Sequence, residues 1–313
     1  MIAAITAAEQ GKTVAVIGYG TIGGICVNVG CVPSKAMIRA ADVMHANSAA
    51  ARFNGISAVT KLESWADVQA QKQKLVTDLR AAKYSDILPQ YDTLSYIEGA
   101  AKLVQGGVEA NGQTYKSDKI IIATGSHSSV PPIDGILGVP HLDSTSALDL
   151  PELPKSMIVI GAGVIGCELG QMFARMGTKV TLLCRSTVLA GAEPEISDAL
   201  AGYLHDEGMN VHCGSVYKSI KQEDGEICLC YHYKGEVRHL SAEHVLLATG
   251  GKANTAGLGL EEIGIVTAKN GGIVVDEFMQ TNVPGIYAVG DVTGRDQFVY
   301  MAAYGAKLAA TMP

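Results

Sequence analysis

The sequence predicts an α/β fold with parallel sheets, and three observations carry that prediction. Strand-like and helix-like stretches alternate along most of the 313 residues. One apolar run, Met157-Ile158-Val159-Ile160, passes through Gly161-Ala162-Gly163-Val164-Ile165-Gly166 into a helical stretch at 164–176, and a strand-like run follows at 179–183. Strands joined by a helix pair in parallel, because the helix crosses back over the sheet. Finally, 36 glycines against 5% aromatic residues favour many tight turns over a large aromatic core.

Element by element, 1–12 reads as an amphipathic helix and 13–17 as a β-branched strand. Helices are expected at 35–50 and 62–85, and strands at 94–103 and 119–123. Two proline clusters, Val130-Pro131-Pro132 and Pro151-Glu152-Leu153-Pro154, precede the strand–helix–strand unit. Period-two alternation with glycine at the turns predicts strands at 215–221, 226–233 and 237–240. A strand at 245–248 then closes the unit, and 285–288 returns the chain to the first domain.

Composition bounds the function. A chain of this length with 48% hydrophobic residues builds two ordinary domains. The formal charge is -7 and no basic run occurs, which excludes a nucleic-acid partner, since phosphate binding needs clustered Lys and Arg. No apolar run reaches the roughly 20 residues that span a bilayer, so no membrane partner is expected. The first 12 residues lack a basic head and contain Glu9, unlike a secretory leader, so the expected location is cytoplasmic. Seven unevenly spaced cysteines fit a disulfide scaffold poorly and direct attention to redox or metal chemistry.

The most informative stretch holds Cys26 and Cys31, with four residues between them, Gly30 before the second and Pro33 after it. Proline suits a first helical turn, where its missing N–H would be unpaired anyway. Cys31 is therefore expected near a helix N-terminus, whose dipole favours a thiolate able to exchange with disulfides. Two buried thiols, or two zinc ligands, are the competing readings. Zinc needs two further ligands, and no second Cys-x2-Cys or His pair offers them.

The glycine turn is the second candidate site. After an apolar strand and before a helix, Gly161 makes the turn, Gly163 admits a diphosphate and Gly166 packs helix on strand. The phosphates then meet the helix N-terminus. The following strand ends at Cys184-Arg185, where an NAD site usually has an acidic residue. A cation suits a 2′-phosphate, so NADPH is expected over NADH; the alternative is a solvated surface arginine. A second match, Gly18-Tyr19-Gly20-Thr21-Ile22-Gly23, also follows a strand, but no helix of useful length fits before Cys26.

Gly23-Gly24-Ile25-Cys26-Val27-Asn28-Val29-Gly30-Cys31-Val32-Pro33-Ser34-Lys35 resembles the redox motif of the pyridine nucleotide-disulfide oxidoreductases, the family of glutathione reductase, dihydrolipoamide dehydrogenase and mercuric reductase. The resemblance implies two Rossmann-like dinucleotide-binding domains, the NADP domain inserted into the FAD domain. It gives 1–150 as the first part of the FAD domain, 151–252 as the NADP domain and 253–313 as the return to the FAD domain. It implies FAD and NADPH as cofactors and a Cys26–Cys31 disulfide, with Cys31 against the flavin and Cys26 exchanging with substrate. Lys35 would sit near the reactive flavin nitrogen and pair with Glu168.

Further flavin-binding positions implied are Gly20, Gly23, Gly24, Ile25, Ala101, Thr124, Gly125, Asp291 and Val299, and Gly250 repeats the Gly125 feature as a cofactor-binding position of the second unit. Ile25 stands where the family usually has Thr, and Gly251 and Ala253 stand where it usually has Arg and Pro.

Within the family, Lys35-Ala36-Met37-Ile38-Arg39-Ala40-Ala41, Ala82-Lys83-Tyr84 and Gln297-Phe298-Val299-Tyr300 resemble the mercuric reductase branch. That resemblance implies a Hg(II) thiolate substrate, held transiently by Cys26 and Cys31 and reduced to Hg(0). Alternatives are a disulfide reductase like dihydrolipoamide dehydrogenase and a non-catalytic fragment binding nucleotide or Hg(II). By the same resemblance, the first strand and glycine loop of the flavin domain would precede Met1. A C-terminal interface domain, which completes the family homodimer, would follow Pro313.

Overall fold

The computed structural model describes residues 1–47, 50 and 53–312. In chain order its elements are α1 (Ile2–Glu9), β1 (Val14–Gly18), α2 (Ile25–Asn28), α3 (Cys31–Ala46), α4 (Trp65–Arg80), β2 (Leu94–Glu98), β3 (Lys102–Val104), β4 (Gly107–Ala110), β5 (Gln113–Lys116), β6 (Ile120–Ile122), β7 (Ser126–Ser128), α5 (Ser144–Leu148), β8 (Ser156–Ile160), α6 (Val164–Met176), β9 (Lys179–Cys184), α7 (Pro194–Asp206), β10 (Asn210–Cys213), β11 (Val216–Glu223), β12 (Glu226–Tyr233), β13 (Glu236–Ala242), β14 (His244–Leu247), β15 (Gly251–Ala253), β16 (Ile286–Ala288) and α8 (Val299–Thr311). They form two units: Met1–Asn28 with Thr77–His127 and Gly251–Pro313, and Val29–Val76 with Ser128–Gly250. Among the described residues no helix is long and apolar enough to cross a membrane.

The second unit carries the parallel sheet, in the order β10-β9-β8-β14. Both faces of its strands are buried, which is why they read as continuous apolar runs. Met157, Val159, Val180 and Leu182 point into one core, with Leu169 and Phe173 of α6. Ile158, Ile160, Leu183, Val245 and Leu247 point into the other, against the antiparallel sheet β11-β12-β13 through Ile220, Ile227 and Leu229. Residues 29–76 and 128–150 pack with this unit. The cause is apolar burial: Met37 and Ala41 of α3, Trp65 of α4, and Ala147 and Leu148 of α5 share the core of α6. The Trp65 indole donates to Leu150 O at 2.9 Å, which satisfies its polar edge.

The first unit has two separate parallel pairs, β1 with β2 and β6 with β16, and an antiparallel meander β3-β4-β5. Its core gathers Leu103, Ile122, Ile273, Ala288 and Val292. The strand expected at 94–103 is two strands, parted at Gly99 and Ala101. The helix expected at 35–50 begins earlier, at Cys31, and runs to Ala46; residues 48 and 49 lie outside those described. The helix at the start spans Ile2–Glu9 and is apolar almost throughout rather than amphipathic. Helices α7 and α8 were not expected: α8, VYMAAYGAKLAAT, is mostly small and apolar, and Lys307 is its one charged residue, too little to mark a polar face.

One ion cluster braces α3 against α6 and the end of α7. Arg175 of α6 donates to Asp42 of α3 at 2.6 Å, and forks onto Glu207 through Nε at 2.6 Å and Nη2 at 2.7 Å. Gln171 adds a bond to Glu207 at 2.9 Å. The Arg175 and Glu207 side chains are only 15% and 14% exposed, so removing one partner costs more than it would on the surface, because the other charge is left buried. Burial pushes the Glu207 carboxyl up, but the Arg175 hydrogen bonds and charge, with His45, hold it below its ordinary 4.5. A carboxyl depressed on folding contributes stability above its unfolded pKa and loses it as pH falls through the lower folded value. Arg175→Met leaves Glu207 buried with only Gln171 and His45 beside it, and urea unfolding at neutral pH is expected to show a loss of about 3 kcal/mol. The loss is expected to shrink as pH drops below 4.5 and Glu207 is protonated in both states.

Candidate functional site

The glycine turn between β8 and α6 has the steric profile of a phosphate cradle. Gly161 takes the left-handed backbone at φ 108°, where side chains are strained, and a Cβ there would strike the carbonyl of Ala248. A Cβ on Gly166 would overlap the carbonyl of Gly161, so helix and strand touch backbone to backbone. A Cβ on Gly163 would meet nothing within 4 Å, and Val164 and Ile165 beyond it are exposed. Two glycines are thus demanded by packing and one leaves open space at the start of a 13-residue helix, where backbone N–H groups attract an anion.

At the next strand end, Cys184 is buried and Arg185 exposed. Burial pushes the Cys184 thiol up to about 12, with Cys213 and Cys167 adding to it. Cys184 is therefore a neutral thiol at physiological pH, not a stand-in for the absent carboxylate. Gly250 lies at the carboxyl end of β14 in the left-handed region, φ 101°, and its carbonyl accepts from Ser129 N at 2.9 Å.

Helix α3 places Cys31 at a helix N-terminus, as its spacing from Pro33 predicts. Cys31 is the first residue of α3, capped by Gly30, and its thiol is free and exposed. One turn on, Lys35 Nζ meets Glu168 Oε2 of α6 at 2.5 Å. Residues 35, 38 and 42 of α3 face 168, 171 and 175 of α6, the i, i+3, i+7 spacing of one helix face. A cleft of about 350 Å³ there is lined by Lys35, Ile38, Ala41, Glu168, Gln171 and Met172, with Arg175 at its end. Lys35 and Glu168 are 56% and 34% exposed, so the bond contributes at most about 1 kcal/mol to stability. Its value lies in where it holds a cation.

In the first unit, Gly23 takes φ 110° and a Cβ on it would run into the Tyr84 ring. Burial raises the Tyr84 phenol; its hydrogen bond with the Gly24 backbone opposes that, and the nearby Cys26 adds to it. Arg80 Nε donates to Asn28 Oδ1 at 2.6 Å, and Asn28 Nδ2 donates to Ile22 O at 3.0 Å. The loop 20–25 and half-buried Cys26 are therefore held by Asn28, Arg80 and Tyr84. Sequence reasoning gave Asn28 and Arg80 no role, because only folding brings 80 beside 28. Gly20 stands open, and Ile25 is exposed with its Cδ1 3.7 Å from where a Gly125 Cβ would lie. Thr124 donates to Asn254 O at 2.7 Å, and Asp291 accepts from Ser126 Oγ at 2.8 Å. Ala101 is half-buried, and Val299 opens α8 exposed.

A glycine turn of this geometry on a parallel sheet defines a dinucleotide-binding α/β protein. The chain belongs to the pyridine nucleotide-disulphide oxidoreductase family, whose pattern matches residues 1–309. It is 41% identical to the mercuric reductase of Staphylococcus aureus, covering 98% of this chain and 56% of that one. Identity is 38% with the Streptomyces lividans mercuric reductase (98% and 66%) and 40% with that of Shigella flexneri (99% and 56%). The chain thus spans between about half and two-thirds of these relatives' lengths. Among solved structures, the HOCl-induced flavoprotein disulfide reductase RclA from Escherichia coli superposes with a TM-score of 0.85 at 30% identity, covering 97% of this chain and 66% of that one. Its Cu(II) complex matches equally well, at 29% identity.

Because Gly166 has no room for a methyl group against a backbone carbonyl, Gly166→Ala is expected to displace α6. Denaturant unfolding should register a loss of about 1–3 kcal/mol, and NAD(P)H affinity, read by fluorescence titration, should fall with it.

Proposed function

We propose that this chain carries the electron-transfer core of an NADPH-dependent flavoprotein that reduces Hg(II) to Hg(0). The observation that carries the reading is the Lys35–Glu168 pair, which ties the helix headed by Cys31 to the helix headed by the glycine turn. The 41% identity to a mercuric reductase favours Hg(II) as the terminal acceptor.

The residues fit NADPH. Gly161, Gly163 and Gly166 leave backbone N–H groups open to a diphosphate, and exposed Arg185 offers the charge that a 2′-phosphate needs. They fit the ring and ribityl end of FAD: Thr124, Gly125, Asp291 and Val299 of the first unit would hold it, with Gly20, Gly23, Gly24, Ile25 and Ala101 of the same unit supporting. The four-residue α2 offers its diphosphate no helix dipole of useful length. When bound, the flavin supplies a two-electron relay between nicotinamide and thiol.

This chain's own groups do the rest. Cys26 and Cys31 cycle between disulfide and dithiol, and as thiolates they bind Hg(II), a soft ion that prefers sulfur. Lys35, held by Glu168, keeps a positive charge where reduction builds negative charge. The balance is NADPH plus Hg(II) giving NADP⁺, a proton and Hg(0).

Hg(II)-dependent NADPH oxidation with FAD supplied, read together with release of mercury vapour, tests this. Cys31→Ala is expected to reduce vapour release to background while leaving NADPH binding intact. Oxidation supported by an organic disulfide such as lipoamide and not by Hg(II) would favour a disulfide reductase, and NADPH binding without oxidation would favour a nucleotide-binding fragment. Replacing Arg185 with Ala is expected to weaken NADPH by at least about tenfold, the worth of one charge-assisted contact, and to leave NADH unchanged; equal weakening of both would remove Arg185 from coenzyme choice.

A further inference from the structure

We propose that Cys184 and Cys213 form a second dithiol site, for a soft two-coordinate cation such as Hg(II), beside the ribose end of the coenzyme turn. The two residues are in-register partners on the parallel strands β9 and β10, so their side chains leave the sheet on one face. Cys184 lies in the core that packs under α6 and Cys213 packs against it, and the Cys184 thiol, directed at Ser186 O at 3.7 Å, feels the neighbouring Cys213. The ladder closes beyond them, with Ser215 N bonded to Cys184 O at 2.9 Å and Gly214 N to Ser186 O at 3.1 Å. The pair is thus held on a rigid frame rather than on a loop.

Size and donor number select the ligand. Neighbouring strands stand about 4.8 Å apart. A linear S–metal–S unit with bonds near the ~2.3 Å of zinc–sulfur sites spans almost the same distance. Tetrahedral ions need more donors, and among the described residues no group of three or more His, Cys, Asp or Glu is placed to hold a metal. The third nearby thiol, Cys167 of α6, is directed at Ala162 O at 3.5 Å. Uptake exchanges two S–H bonds for two S–Hg bonds and releases two protons, with no change of oxidation state. Cys213 is half-buried, so the pair is reachable from its edge-strand side.

The location gives the site a consequence that rests on the NADPH reading. Arg185 follows Cys184 directly, so an ion locked between the strand ends constrains the segment proposed to meet the 2′-phosphate. The site would hold Hg(II) without reducing it and would weaken coenzyme binding as it filled.

The test uses the chain with Cys26→Ala and Cys31→Ala, mercuric chloride as probe, and excess glutathione as competitor. One Hg(II) per chain is expected to remain, by native mass spectrometry, and X-ray absorption should show two sulfur neighbours. Adding Cys184→Ala or Cys213→Ala should abolish retention, whereas Cys228→Ala with Cys230→Ala should not. Absorption on the chain that also carries Cys228→Ala and Cys230→Ala needs no substitution at Cys184 or Cys213, so two sulfur neighbours there decide the matter even where a core variant misfolds. No retained Hg(II), a non-sulfur neighbour, or retention that survives loss of a folded Cys184 or Cys213 overturns the proposal. In the metal-loaded chain NADPH affinity should fall about tenfold or more; unchanged affinity overturns the link to the coenzyme. If the metal-free chain binds no NADPH, the coenzyme reading fails separately, because retention is measured without coenzyme.

Discussion

The meeting of Gly166 with the carbonyl of Gly161 is the contact on which the second unit depends. With no side chain between them, α6 lies against β8 at backbone distance, and its rotation about its own axis is set. That rotation turns Leu169 and Phe173 into the core and presents Glu168, Gln171 and Arg175 to α3. The same closeness brings the first N–H groups of α6 to the open space above Gly163. Packing and site geometry therefore have one cause, and neither can be adjusted without the other.

Two kinds of charge pairing share the α3–α6 seam. Arg175 with Glu207 and Asp42 is largely buried, forked and doubly satisfied, so it acts as a brace. Lys35 with Glu168 is open to solvent and contributes little to stability. An arrangement that spends burial on the far end and leaves the near end exposed keeps a cation accessible beside the helix that starts at Cys31. The thiols follow the same division. Cys31 is exposed at a helix start, whereas Cys167 and Cys184 are pushed up to about 11 and about 12 by burial.

Much of the second unit was legible in the sequence because its signals are local. Strand, glycine turn, helix and strand occupy about thirty consecutive residues, and β12 falls where the alternating pattern put it. The first unit was less so. Its parallel pairs join residues far apart in sequence, Val14 with Leu94 and Ile286 with Ile120, and its short strands carry too few residues for a period to register. The break at Gly99 depends on Asn111, whose side chain donates to Glu98 O at 2.8 Å, a partner no local window contains. Arg80 beside Asn28 is illegible for the same reason.

What the sequence determined alone is the identity of groups whose spacing is their chemistry. The Cys26–Cys31 motif, the three glycines of the turn and the cation after β9 are set by covalent order, because backbone geometry over a few residues leaves few alternatives. Only the tertiary structure decided which distant groups share a face. Lys35 met Glu168, Asp42 met Arg175, and Cys184 met Cys213 because apolar burial drew α3, α6 and the parallel strands together, and that burial is summed over the whole core rather than written in any one segment.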